Sequence, residues 1–316
     1  MQIPLTARSI RRLAAIWLAL AGLWLLPDGI QAHEPESNQS TTKNGKPSSQ
    51  VRLENLTWTQ VRDKLQSGTT TIIIPTGGTE QNGRHMVLGK HNFIVAKTAT
   101  MIAQRLGKTL VAPVIAYVPE GDPAIKSGHM AYPGTISLTP DVFEQVLEQA
   151  ARSFKTHGFK TIAFLGDSGG NQASQKRVAA RLSDEWRNDG VRVIHVSDYY
   201  AKNGGEELLR ANGGTLKTIG THAGIRDTSE LMAVFPQGVD LKRAEPDKDG
   251  ASGDARFASV ALGKRLLSGK VEAAVAQIKN QMHAIGPSTK YRSGRIVSDA
   301  PGSEGFVSWL LSAIFG

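Results

Sequence analysis

Four short apolar runs, Thr71 to Pro75, Thr109 to Ile115, Thr161 to Leu165 and Arg192 to Val196, punctuate the middle of the chain, and none of them alternates in polarity. A strand with one wet face alternates; a strand buried on both faces reads as a continuous β-branched run. Amphipathic stretches with helical spacing separate the runs, at Asn92 to Leu106, Pro140 to His157 and Gln172 to Asn188. The second of these is punctuated at both ends. Thr139 stands in the capping place before Pro140 at the first helical position, and Gly158 follows the last turn. Strand followed by helix, repeated, predicts a three-layer α/β/α architecture around a mostly parallel central sheet. Helices are also expected from Asp254 to Leu267 and from Val271 to Met282.

The two ends of the chain read differently. Arg8, Arg11 and Arg12 precede an apolar run from Leu13 to Leu26, which Pro27 and Asp28 break before small residues lead to Ala32. That layout predicts a signal peptide over residues 1–32 and a periplasmic or secreted chain. The run is shorter than the roughly 20 residues a helix needs to cross a bilayer, so no stable membrane insertion is expected once the signal is removed. Residues 33–50 are Ser, Thr, Asn, Lys, Pro and Gly with almost nothing to bury, and predict a flexible leader. An α/β domain is expected over 51–285, with Leu53, Leu56, Trp58, Val61 and Leu65 opening it at helical spacing. A tail over 286–316 carries a short apolar helix around Phe306 to Leu311.

The 316 residues contain no cysteine, so export to an oxidising compartment brings no disulfides, and stability must come from packing. The formal charge is +9; removal of residues 1–32 takes three arginines and one aspartate, leaving 34 basic against 27 acidic residues, or +7. This excess is spread over the chain without a basic run or an aromatic-interleaved basic motif, which argues against a nucleic-acid partner.

Polar, Gly-rich loops follow the first and third apolar runs: Pro75-Thr76-Gly77-Gly78-Thr79-Glu80-Gln81-Asn82-Gly83-Arg84-His85, and Gly166-Asp167-Ser168-Gly169-Gly170-Asn171. Ligand crevices in parallel sheets lie beyond the carboxyl ends of the strands, so these loops are expected to face each other. Glu80, His85, His91, His129, Asp167, His222, Asp227 and Glu230 are the proton carriers and metal-ligand types in or near such loops. Zinc and manganese take imidazole nitrogen and carboxylate oxygen, and an ion so held lowers the pKa of a bound water to near neutrality. Each of these residues is equally at home as a solvated loop residue. Their coincidence is what points to a site. Gly169 and Gly170 lead into a helix N-terminus that favours an anion. No Gly-Lys-Ser/Thr follows either loop, which excludes a nucleotide P-loop.

From Asn55 to Ile278 the chain resembles the creatininase family of metal-dependent amidohydrolases. The first loop is similar to the family's Gly-x-x-Glu-x-His-Gly-x-His. His129-Met130-Ala131-Tyr132-Pro133-Gly134-Thr135 is similar to His-x-x-Phe-Pro-Gly-Thr, and the second loop to Asn-Gly-His-Gly-Gly-Asn. His222-Ala223-Gly224-Ile225-Arg226-Asp227-Thr228-Ser229 is similar to His-Ala-Gly-x-x-Glu-Thr-Ser, and Ser252-Gly253-Asp254 to a late Gly-Asp loop. The resemblance implies a substrate pocket lined by His129, His85, Tyr132, Gly169, Gly170 and Asn171. It further implies catalytic roles for Glu80, Asp227 and His222, the last as proton carrier, and homo-oligomers that are ring-like or stacked.

The family's metal ligands include the loop glutamate, the histidine two residues later, an aspartate eleven residues after that glutamate, and the histidine of the third block. Here those positions hold Glu80, Asn82, His91 and Ser168. Asn82 and Ser168 are weak ligands, so the paired-metal arrangement gives way to a predicted single divalent ion, zinc or manganese, on Glu80, His91 and Asp167. The alternative is no metal, with Asp167 and His91 serving as helix caps. Three functions follow: an exported hydrolase of a small or cyclic amide C–N bond, a non-catalytic binding protein that keeps the pocket, and a peptide-processing hydrolase.

Overall fold

The computed structural model describes residues 50–283, so the predicted signal segment, the leader up to residue 49 and the tail beyond residue 283 lie outside the described residues. Four strands, β1 (Thr71–Thr76), β2 (Thr109–Val111), β3 (Thr161–Gly166) and β4 (Arg192–His195), form one sheet in the order β2-β1-β3-β4, with every pairing parallel. The expected second strand was to run on to Ile115, but the ladder stops short. Pro113 has no N–H to give; Ala112 and Ile115 still donate to Ile73 and Pro75 on either side of it.

Eight helices surround the sheet among the described residues: α1 (Trp58–Gln66), α2 (Lys90–Leu106), α3 (Pro140–Thr156), α4 (Gly169–Glu185), α5 (Gly205–Ala211), α6 (Leu216–Ile219), α7 (Ile225–Val234) and α8 (Val260–His283). The pleat of β1 explains the layers. Ile72 and Ile74 point to one face, where Phe143, Leu147, Val178, Leu182 and Trp186 of α3, α4 and the turn after α4 meet them. Ile73 points to the other, against Val95, Ala99 and Ile102 of α2 and Val271, Ala274 and Ile278 of α8. Each of these isoleucines is at most 1% exposed, and burial of each is worth about 1.5–3 kcal/mol. The sheet is therefore the middle layer of three, as the continuous apolar runs required.

Helix starts follow side-chain caps. Thr139 Oγ1 accepts from Val142 N with Pro140 in the first turn, and Thr57 forms a reciprocal capping box with Gln60. α4 begins three residues earlier than its apolar pattern suggested, because Ser168 caps it by accepting from Gly170 N. The two helices expected between Asp254 and Met282 are one. Gly269 does not break α8; its missing Cβ lets the helix pass against Asn203 O, which a Cβ would approach to 2.5 Å. No helix among the described residues is long and apolar enough to cross a membrane.

Candidate functional site

The loops leaving the carboxyl ends of β1 and β3, with the first turn of α2, meet in a cavity of about 750 Å³. Gly77 and Gly78 allow the first loop to lie on α2. A Cβ on Gly77 would stand 2.0 Å from Asn92 Oδ1, the atom that accepts from Gly78 N at 3.1 Å. This contact carries Glu80 inward, where it is 2% exposed.

His91 occupies the centre. Its Nε2 lies 2.9 Å from Glu80 Oε1 and its Nδ1 2.7 Å from Asp167 Oδ2. Carboxylates on both ring nitrogens call for a proton on each, so the ring is an imidazolium. Burial and the neighbouring Lys90 oppose that charge, but the attraction of Glu80 and the two hydrogen bonds outweigh them and raise the pKa to about 9. Asp167 Oδ1 accepts from Tyr199 OH at 2.7 Å and from Lys270 Nζ at 2.9 Å. Burial raises carboxylate pKa values, yet Lys90 and His91 hold Glu80, and Lys270 and His91 hold Asp167, far below the usual range. Lys90 also reaches Asp227 Oδ2 at 3.0 Å, and Asp227 accepts from Ala223 N.

Around this centre the cavity wall includes His129, His222, Glu120, Ser168, Gly169 and Gly170. His129 Nε2 stands 3.2 Å from Glu80 Oε2, and His222 Nδ1 3.7 Å from Glu80 Oε1. The proton on each ring is fixed by Gln81. Its Oε1 accepts from Gly83 N, so its Nε2 faces His129 Nδ1, and His129 keeps its proton on Nε2, toward Glu80. His222 Nε2 donates to Gln81 O, which leaves Nδ1 as a free lone pair. Burial and Lys90 push the His222 pKa down to about 4, so the ring is neutral at pH 7. Burial and the charge of Glu80 push Glu120 up to about 9, and it gives its proton in a hydrogen bond to Glu80.

The expected ligands Glu80, His91 and Asp167 are thus brought together, but as an ion-paired row with His91 in the middle, both of its nitrogens engaged. Asp167 does not cap α4; Ser168 does. A different group, Glu80, His129 and His222, has ligand atoms within 4.8 Å of one another and could hold a metal ion. Of the expected pocket residues, His129, Gly169 and Gly170 line the cavity, and His85, Tyr132 and Asn171 do not. Asn171 instead clamps the end of β1, donating from Nδ2 to Thr76 O and Oγ1 and to Gly77 O. His85 is 3% exposed and meets Thr228 Oγ1 at 3.0 Å.

Sequence reasoning did not single out Lys90, Lys270, Glu120 or Tyr199. Two of them carried a signal. Lys90 opens a helix, where the macrodipole disfavours a cation, and Lys270 falls on the face of α8 otherwise given to Leu267, Val271 and Ala274. Glu120 and Tyr199 had none.

A family model for creatininase, described as creatinine amidohydrolase, matches residues 54–278. A mycofactocin precursor peptide peptidase of Mycolicibacterium smegmatis is 28% identical over 229 residues, 70% of this chain and 89% of the relative. The creatinine amidohydrolase of Pseudomonas putida is 24% identical over 201 residues, 62% of this chain and 76% of the relative. Among solved structures, one described as creatininase Mn superposes with a TM-score of 0.61 at 24% identity, covering 73% of this chain and 98% of that one.

A pair of metal ions does not fit the residues present. Asn82 Nδ2 donates to the carbonyls of Glu80, Val87 and Leu88, and its Oδ1, with no partner among the described residues, is a poor substitute for imidazole. Ser168 Oγ is turned to Gly170 N, and His91 is doubly protonated. One ion on Glu80, His129 and His222 does fit, as two imidazoles and a carboxylate facing a cavity.

Proposed function

Since the chain belongs to the creatininase family, we propose that it is an exported hydrolase of an amide C–N bond that works with a single divalent ion, zinc or manganese, held by Glu80, His129 and His222. The observation that carries this reading is the convergence of those three ligand atoms within 4.8 Å on the wall of the cavity. An ion there would polarise the amide carbonyl and activate water. His222 Nδ1 is ready as a ligand, whereas the His129 proton must move from Nε2 to Nδ1, with the Gln81 amide turned to accept it. Glu120, a carboxylic acid at neutral pH on the same wall, can deliver a proton to the departing nitrogen. Asp227 and Glu80 anchor Lys90 from either side and so keep Glu80 oriented. A cavity of about 750 Å³ admits a drug-sized amide or the end of a short peptide. The peptidase named among the relatives supports the second kind of substrate, and the creatinine amidohydrolase the first. The Arg8 to Ala32 segment supports export.

Metal analysis of the purified mature protein, with amine release from a panel of creatinine, other cyclic amides and short peptides, tests the proposal. One ion per chain is expected, lost in Glu80→Gln and His129→Ala, with hydrolysis of at least one substrate class that falls by about 10²-fold or more in Glu120→Gln. Absence of both metal and hydrolysis would leave the alternative, a pocket that binds an amide without cleaving it. That second reading is favoured by Lys90, whose ammonium already stands 3.4 Å from Glu80 Oε1.

A further inference from the structure

Four carboxylates crowd the floor of the cavity and the space behind it: Glu80, Asp167, Asp227 and Glu230. Two lysines enter this cluster from opposite ends of the chain. Lys90, the first residue of α2 and wholly buried, lies 3.0 Å from Asp227 Oδ2 and 3.4 Å from Glu80 Oε1. Lys270 on α8, 6% exposed, lies 2.9 Å from Asp167 Oδ1 and 2.5 Å from Glu230 Oε2. Each ammonium therefore joins two carboxylates from separate segments. A divalent ion does the same in a carboxylate-bridged metal site.

Both lysines stand where a lysine is costly. An ammonium taken out of water loses its hydration, and Lys90 also faces the positive end of a helix dipole. The carboxylates within reach offset those costs, helped at Lys270 by the Tyr199 ring, whose centroid lies 5.1 Å from Nζ. Any further cation would have to share Asp167, Asp227 or Glu230 with an ammonium already at 3.0 Å or less, and at such distances in a buried site like charges repel strongly.

We propose that Lys90 and Lys270 are tethered counter-ions that neutralise the acid cluster from within, so that the pocket assembles without a divalent ion and accepts one ion at most. The hydrolase reading is not needed for this, since the counter-ions act whether or not Glu80, His129 and His222 take a metal.

The test uses the full mature chain stripped with chelator, with Mn²⁺ and Zn²⁺ salts as probes, read by thermal unfolding and by ion counts in native mass spectrometry. The stripped wild type should unfold cooperatively before any salt is added. Lys270→Met should lower the Tm by roughly 10 °C, recover part of that loss with Mn²⁺ or Zn²⁺, and take up one ion more than the wild type. Lys270→Arg, which keeps the charge, should stay near wild type. Should Lys270→Met not fold, Lys270→Met combined with Asp167→Asn, which removes one charge of each sign, is expected to fold. The proposal is overturned if the stripped wild type is unfolded, if the wild type binds two ions, if Lys270→Met is as stable as wild type, or if the paired variant also fails to fold. The ion count separates the two ideas. One ion on the wild type supports both, and none supports the counter-ions while sinking the single-metal hydrolase.

Discussion

Raising the pH should weaken this protein through His91. Its pKa is about 9 in the folded chain against an ordinary 6.5, so the folded state holds a proton that the unfolded state releases. A group shifted upward stabilises fully below its unfolded pKa, and that contribution drains away as the pH climbs through the folded value. The window is therefore pH 6.5 to 9, and the contribution at stake is about 3 kcal/mol. Glu120 acts in the same direction, because it too stays protonated up to about 9 when folded. The histidines whose pKa values are lowered, His85, His129, His195 and His222, act below 6.5 and leave the window alone. Urea unfolding at a series of pH values, for wild type, His91→Gln and His91→Gln/Glu120→Gln, isolates the two groups. The wild-type stability should fall across the window, the single variant less steeply, and the double variant least. A flat or rising wild-type curve, or a His91→Gln curve as steep as the wild type, would show that His91 is not an imidazolium held between Glu80 and Asp167.

Tyr199→Phe removes the donor to Asp167 Oδ1 and the contact with Thr98 Oγ1 at 2.9 Å; a loss of about 1–3 kcal/mol is expected in chemical denaturation. Gly263→Ala places a Cβ 1.8 Å from Ser229 O where α8 crosses α7, and should cost about 1–3 kcal/mol or more in the same measurement as the helices are forced apart. Mass spectrometry of the exported chain should find His33 at its N-terminus, whereas an uncleaved Met1 to Ala32 segment on membrane-bound protein would mark the apolar run as an anchor.

The frame of the molecule was readable because β1 and β3 sit in the middle of the sheet, where burial on both faces favours an unbroken apolar run after the threonine that opens each strand. Thr139-Pro140 and Gly158 marked the two ends of α3 for reasons as local as a cap and a turn. α8 was harder. Ser268-Gly269 looks like a break along the chain, and only the neighbouring backbone of Asn203 shows why a glycine belongs inside a helix there. The site followed the same division. Glu80, His91 and Asp167 could be picked out as residues that meet, since each follows or flanks a strand end. What they do on meeting depended on Lys90 and Lys270, whose positions in a helix start and an apolar stripe reveal that they are buried but not what they touch. Glu120 lies outside every matched motif, and its raised pKa arises from burial and from the charge of Glu80, neither of which the sequence shows.

Lys270 reaches Asp167 across 103 positions of sequence, and its helix is the last described element. A ribosome releases the chain from the N-terminus, so Glu80, His91 and Asp167 emerge well before the ammonium that completes their row. Until α8 docks, the edge of the cavity holds carboxylates in excess, and self-repulsion keeps that region loose. Final consolidation of the pocket is thereby tied to the arrival of α8, with long-range closure as the late and slow event. The export proposed from the N-terminal segment would profit from such an order, because a polypeptide that becomes compact only once α8 has docked stays threadable for longer.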